Sequence, residues 1–394
     1  MNRPGLHAIA ADHLFDGAVV RERTAVVVDG ARIADLVATA DLPRTISIHA
    51  LPQGAWLAPG FIDLQVNGGG DVLFNDEPTV QGIRTIAAAH RKRGTTGLLP
   101  TLISDSTEKM RLALEAVNAV AGSEPGILGL HLEGPYLSGE RPGVHDKRRF
   151  RQPSADDLAM LTAPRNGALL VTLAPEVVPP GFIARLVAAG VRVSLGHSMA
   201  TYGQTRAAMA EGLTGFTHLF NAMRPMGSRE GGPIAQALES PDAWYGLIVD
   251  GMHVDPAMLR LALRGLGHPV LVSDAMPPVG GSRSDFKLYG DNITARDGHC
   301  VRDDGTLAGT ALDMARAVGN CVRLLGVPLP DALRFASANP ATFLGLGQML
   351  GQLAAGYRAD LVAFDPSDMT VLATWTAGRE GDSFTAAARG NDSR

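Results

Sequence analysis

Two kinds of apolar text alternate along most of this chain. Short runs of aliphatic and β-branched residues without helical period read as buried strands: FIDLQVN, GLLPTLI, ILGLHLE, ALLVTLA, VRVSLGH, TGFTHL, WYGLIV and PVLVSDA. Between most of them the apolar residues recur at helical spacing, in TVQGIRTIAAAHRKR, STEKMRLALEAVNAV, SADDLAMLTA, PGFIARLVAAG, TYGQTRAAMAEG, GPIAQALE and PAMLRLALRGL. Thr201 reads as the N-cap of the fifth of these helices and Gly212 as its C-terminal stop. Eight strand–helix units predict an α/β fold, a (β/α)8 barrel of the TIM type over residues 59–346, with its chemistry at the C-terminal ends of the strands.

The flanks follow a different rhythm. HAIAADHLF, TAVVVDGARIADLVA and TISIHAL cluster β-formers around a turn at Asp29-Gly30, and β text returns in GQLAAGYRADLVAFDP and MTVLATWTAG. Segments 1–58 and 347–380 are therefore expected to join as one small β-sandwich domain built from both chain ends. The stretch 381–394, rich in Gly, Ser, Asp and Arg, is expected to be a flexible tail. The last barrel unit carries a long insertion, PPVGGSRSDFKLYGDNITARDGHCVRDDGTLAG, before helices predicted around 309–325 and 330–338.

Composition narrows the partners more than the fold. Hydrophobic residues are 45% and charged residues 19%, an ordinary globular balance, and the net charge of −5 lends no support to a nucleic-acid or anionic-membrane partner. An anionic substrate would have to be held by local cations. The two cysteines, Cys300 and Cys321, have no metal-binding spacing and suit a reducing compartment. With no apolar signal segment in MNRPGLHAIAADHLF, the expected location is cytoplasmic.

The strand ends carry the candidate chemistry. His197 follows the fifth strand and His218 the sixth, so a right-handed crossover brings both imidazoles to one rim. One strand-end histidine is more often a satisfied polar residue than a ligand. Two in successive units, joined by Glu133 from the third strand (HLEGP), make a His2Glu set, three protein ligands that leave a catalytic metal an open position. Asp274, at the end of the eighth strand, is the natural general base for water acidified by such a metal, although SDA is also ordinary turn text. Gln65 and Asn67 end the first strand and face one side. His131 lies two residues before Glu133 and is expected to pack or to support the ligands from behind, one layer lower in the barrel.

The ordered run APGFIDLQVNG, HLEGP, GVH, TLAPE, GHS, THLFNAM, DGMHVD, LVSDA and GTLAG resembles the N-acetylglucosamine-6-phosphate deacetylases of the amidohydrolase superfamily. The resemblance implies a metal on Glu133, His197 and His218, Asp274 as acid/base and His145 beside the acetyl carbonyl. It also implies Asn221, Ala222, Arg229 and His253 around the sugar phosphate, with Leu307, Ala308 and Gly309 touching substrate. The implied reaction is hydrolysis of the acetamido group of N-acetyl-D-glucosamine 6-phosphate to D-glucosamine 6-phosphate and acetate, in amino-sugar catabolism or cell-wall recycling. Many superfamily members carry His-x-His at the end of strand one; Gln65 and Asn67 stand there instead, and amides are poor ligands for a transition metal. One divalent ion per subunit is therefore expected, zinc first, with iron, cobalt or manganese also accepted by this donor set. Gln65 is left to orient water or ligands. A homodimer is implied too, with Arg229 reaching the neighbouring active site. The rivals are a deacetylase for the galacto epimer, a cyclic-amide hydrolase, disfavoured because LLVTLAPE offers no lysine to carbamylate, and a non-enzymatic scaffold.

Overall fold

The computed structural model describes residues 6–381, so the expected tail lies, beyond Gly381, outside the described residues. All eight predicted barrel strands form: Phe61–Val66, Thr95–Ile103, Gly129–Glu133, Ala168–Leu173, Arg192–Leu195, Gly215–Phe216, Trp244–Leu247 and His268–Leu271. They hydrogen-bond in chain order and every pair is parallel. Burial on both faces explains why they read as continuous apolar runs, since helices cover the outside and side chains fill the inside.

The seam between the last strand and the first is closed differently. Asn67 N and Gly68 N both donate to Ala275 O, at 2.9 and 3.0 Å, and Val66 bridges Ala275 in parallel. Below that bridge the buried Asp63 carboxylate accepts the Ser273 main-chain N–H at 3.2 Å and the Ser273 hydroxyl. A side-chain staple thus replaces part of the missing ladder.

The helices start where capping chemistry sets them. Thr79 and Ser106 cap Val80–Arg91 and Thr107–Val120, while Ser154 with Asp157 forms a capping box on Ala155–Thr162. Thr201 accepts from Gln204 N, and Gln204 reaches back to Thr201 N, so Tyr202–Ala210 begins at the residue its sequence predicts. The helix expected around 309–325 begins later, at Met314, because Asp313 caps it and Leu307–Thr310 is a strand. The helix expected at 330–338 is two, Leu329–Ala336 and Ala338–Phe343, broken at Ser337, whose φ of −135° leaves the helical range.

The insertion is a four-stranded antiparallel sheet: Asp285–Leu288, Asp291–Arg296, His299–Arg302 and Leu307–Thr310. Its apolar side chains, among them Phe286, Leu288, Ile293 and Cys300, pack on Leu73, Ile103, Val144 and Met276 at the barrel rim.

Strands from both chain ends share one further sheet of eight. Its spatial order runs from Arg379–Glu380 through Val371–Thr376, Leu361–Phe364, Trp56–Pro59, Leu6–Phe15 and Val20–Asp29 to Arg32–Ala38, with Ser47–Ala50 also on Leu6–Phe15. The two ends meet where Leu361 to Phe364 pair antiparallel with Pro59 to Trp56. Among the described residues no helix is long and apolar enough to cross a membrane.

Candidate active site

Backbone strain marks the C-terminal rim before any side chain is considered. His197, His218, Phe220, Ala222 and Asp274 have φ of 47°, 31°, 80°, 49° and 52°, a left-handed region that residues with a Cβ seldom occupy. Such conformations cost of order 1 kcal/mol or more each and gather where the surrounding structure fixes a functional geometry. Here they turn three of the candidate side chains inward over the barrel mouth.

Those side chains meet at one point. Glu133 Oε1 lies 3.2 Å from His197 Nε2 and 2.9 Å from His218 Nε2, and the two ring nitrogens are 3.1 Å apart. His197 Nδ1–H donates to the Arg141 carbonyl at 2.9 Å, so in the neutral ring Nε2 bears the lone pair and faces Glu133. A carboxylate oxygen and imidazole nitrogens, buried and aimed at a common centre, are the donors a divalent transition ion takes. Electrostatics point the same way. Burial pushes the Glu133 carboxyl up, but the neighbouring His197 and His218 rings overcome it and hold the group well below the usual carboxylate range. Burial pushes His218 down, yet Glu133 raises it above an ordinary histidine. The site stabilises positive charge at this centre, and the residues fit a metal.

A second carboxylate stands beside the first. Gln65 Nε2 donates to Glu133 Oε2 and to Asp274 Oδ1, both at 3.1 Å, and Asn67 Nδ2 donates to Asp274 Oδ1 at 2.7 Å. Amide donors at the end of strand one thus hold two buried carboxylates together. Burial, then the charge of Glu133, pushes the Asp274 carboxyl up to about 6. That is a base poised close to neutral pH.

A cavity of about 400 Å3 opens above these groups, lined also by Asn67, His145, Asn221, Ala222, His253, Leu307 and Gly309. His145 is buried against the His197 ring, 4.4 Å between centroids; burial first, then that ring, keeps its pKa well below the ordinary histidine range. His253 Nδ1–H donates to Asp250 Oδ2 at 2.6 Å, which fixes its ring at the cavity wall. Three other candidate residues do not line this cavity. Ala308, between Leu307 and Gly309, is fully buried in the apolar cluster under the inserted sheet. Arg229 sits exposed in the loop after strand six and is not among the residues lining this cavity. His131 is sealed beneath the site, its Nε2 2.8 Å from Thr172 Oγ1 and its Nδ1 3.3 Å from Thr101 Oγ1, and burial pushes its pKa down to about 4.

Sequence reasoning passed over Asp63, Ser104 and Asp250. Asp250 had a signal, three residues before His253 in DGMHVD, the spacing of a local carboxylate–imidazole pair. Ser104 had none, because it touches His145 through its main chain as well as its hydroxyl.

Comparison with known proteins agrees with this geometry. Residues 56–382 match the amidohydrolase family. An N-acetylgalactosamine-6-phosphate deacetylase of Shewanella sp. (strain ANA-3) is 42% identical, over 86% of this chain and 85% of its own length. An N-acetylglucosamine-6-phosphate deacetylase of Haemophilus influenzae is 34% identical, over 87% and 91% respectively. The crystal structure of the N-acetylglucosamine-6-phosphate deacetylase from Pasteurella multocida superposes with a TM-score of 0.90 at 35% identity, covering 95% of this chain and 99% of that one.

Proposed function

Because the chain belongs to the amidohydrolase family, whose members work with a metal, we propose that it hydrolyses the acetamido group of N-acetyl-D-glucosamine 6-phosphate, releasing D-glucosamine 6-phosphate and acetate. The observation that carries this reading is the meeting of Glu133, His197 and His218 at one point, with Asp274 tied to Glu133 through Gln65.

One divalent ion, zinc first, would be held by Glu133, His197 and His218; when bound it supplies Lewis-acid chemistry, polarising a carbonyl and acidifying water. The remaining work falls to the chain. Asp274, pushed up to about 6, takes a proton from the attacking water and returns it to the amine as the C–N bond breaks. Gln65 and Asn67 keep that carboxylate turned toward the reacting centre. His145 faces the oxyanion that develops on the carbonyl oxygen. Asn221, Ala222 and His253, with Leu307 and Gly309, enclose the sugar phosphate. Arg229 supplies a phosphate-binding guanidinium to the neighbouring subunit of a homodimer, which accords with its exposed position outside its own cavity.

A second reading is favoured by the relative at 42% identity, which acts on the galacto epimer. Both sugars present the same acetamido group to the same machinery. Acetate release from N-acetylglucosamine 6-phosphate and N-acetylgalactosamine 6-phosphate, measured side by side, tests both readings: a higher kcat/KM for the gluco sugar supports the first, the reverse order the second, and no release from either rejects both.

A further inference from the structure

His145 reaches the cavity with one ring nitrogen and meets Ser104 with the other. Ser104 is buried immediately after the second barrel strand. Its main-chain N–H donates to His145 Nδ1 at 3.3 Å, and its hydroxyl oxygen lies 2.8 Å from the same nitrogen. A hydroxyl can turn its proton either way. A main-chain N–H cannot, because its peptide plane fixes where the hydrogen points. A ring nitrogen that accepts from it carries no proton of its own, whichever way the hydroxyl, which also reaches the Glu133 carbonyl at 3.5 Å, turns its proton. A neutral imidazole with a bare Nδ1 holds its proton on Nε2. That atom lies 4.0 Å from Glu133 Oε2, in the same cavity.

Ser104 is also held from the inserted sheet, through its other peptide. The Ser104 carbonyl accepts the hydroxyl of Tyr289 at 2.6 Å, and Tyr289 stands in the turn between the first two strands of the inserted sheet. From the third strand of that sheet, Arg302 Nη2 donates at 3.0 Å to the carbonyl of Val144, the residue before His145. The insertion therefore grips both partners of the Ser104–His145 contact, besides giving Leu307 and Gly309 to the cavity wall.

We infer that Ser104, itself anchored by Tyr289, is a positioning residue that locks His145 in its Nε2–H form, making the ring a fixed hydrogen-bond donor and not a base. That the donor meets the carbonyl oxygen of an acetamido group rests on the function proposed above; the locked ring does not.

The test has a spectroscopic and a kinetic arm. In zinc-loaded protein labelled with 15N-histidine, the His145 ring signals, assigned by their loss in His145→Gln, should show a protonated Nε2 and a bare Nδ1. A protonated Nδ1 overturns the inference whatever the enzyme does. In the kinetic arm, Tyr289→Phe, which frees Ser104 from the inserted sheet, should lower kcat about tenfold, as for one lost orienting hydrogen bond, with KM and bound metal unchanged, whereas Ser104→Ala, which keeps the main-chain donor, should lose less. His145→Gln, whose amide N–H reaches the place of Nε2, should keep at least about tenfold more kcat than His145→Asn, whose amide sits at the place of Nδ1. Equal losses in the Gln and Asn variants, or wild-type kcat in Tyr289→Phe, overturn it. Failure of the functional reading looks different: wild-type protein would release no acetate from either sugar, while the ring signals still report the locked form.

Discussion

Two buried carboxylates held at neighbouring positions by one amide set the terms at the scale of single residues. Asp274 works only when ionised, so turnover should rise with pH through its pKa and level off above it. Burial and Glu133 push that pKa to about 6, and a cation beside it pulls it down, so the acid limb of kcat should fall no higher than about pH 6. A limb above pH 7 would remove Asp274 from the role. Gln65→Ala takes away a donor that favours the charged form, and the limb should then move upward. Asp274→Asn should fold and keep its metal but lose about 10²–10⁴-fold in kcat, read by acetate release beside metal analysis. The carboxylate and both histidines of the candidate metal site were legible because strand ends of a parallel barrel converge on one rim, whatever their distance in sequence. Ser104 and Tyr289 were not. A main-chain N–H leaves no residue-type signature, and a tyrosine in a long insertion reads as surface.

At the scale of elements, periodicity and caps were enough to place the eight strands and the start of Tyr202–Ala210, since burial and side-chain capping are local facts. The inserted sheet escaped because its strands are short, half-exposed and broken by polar turns, so neither period rises above its surroundings. The barrel seam carries a prediction of its own. Asp63 is pushed up from 3.8 to about 7, first by burial, against the hydrogen bonds from Ser273 and Gln65. The folded protein thus holds a proton that the unfolded chain releases near 3.8, so this group costs nothing below pH 4 and destabilises progressively as pH rises to 7. Between pH 5 and 8 the wild type should lose on the order of 2 kcal/mol relative to Asp63→Asn, measured by chemical denaturation of both proteins. An unchanged gap between the two curves would show that Asp63 is ionised in the fold.

At the scale of the whole molecule, the fold brings together residues far apart in the chain. Glu133, His197 and His218 come from three separate strands, so an ion held between them would tie the rim together and bind the folded chain alone. Chelation should abolish turnover and lower Tm, on the order of 5 °C, with both restored by zinc; an unchanged Tm and activity would argue against a bound metal. If Arg229 serves the neighbouring subunit, Arg229→Ala should raise KM for the phosphorylated sugar far more than for its dephosphorylated analogue. An equal rise for both would reject the phosphate contact.

Trp56–Pro59 lies between Leu6–Phe15, which precedes the barrel in the chain, and Leu361–Phe364, which follows it. While the ribosome is still building the barrel, that early strand must wait with one edge bare, a template for any passing β-segment. Holding factors should therefore stay on the nascent polypeptide until Leu361–Phe364 emerges, and a premature stop anywhere before Leu361 should send the product to proteolysis or inclusion bodies even when every candidate metal ligand has been translated.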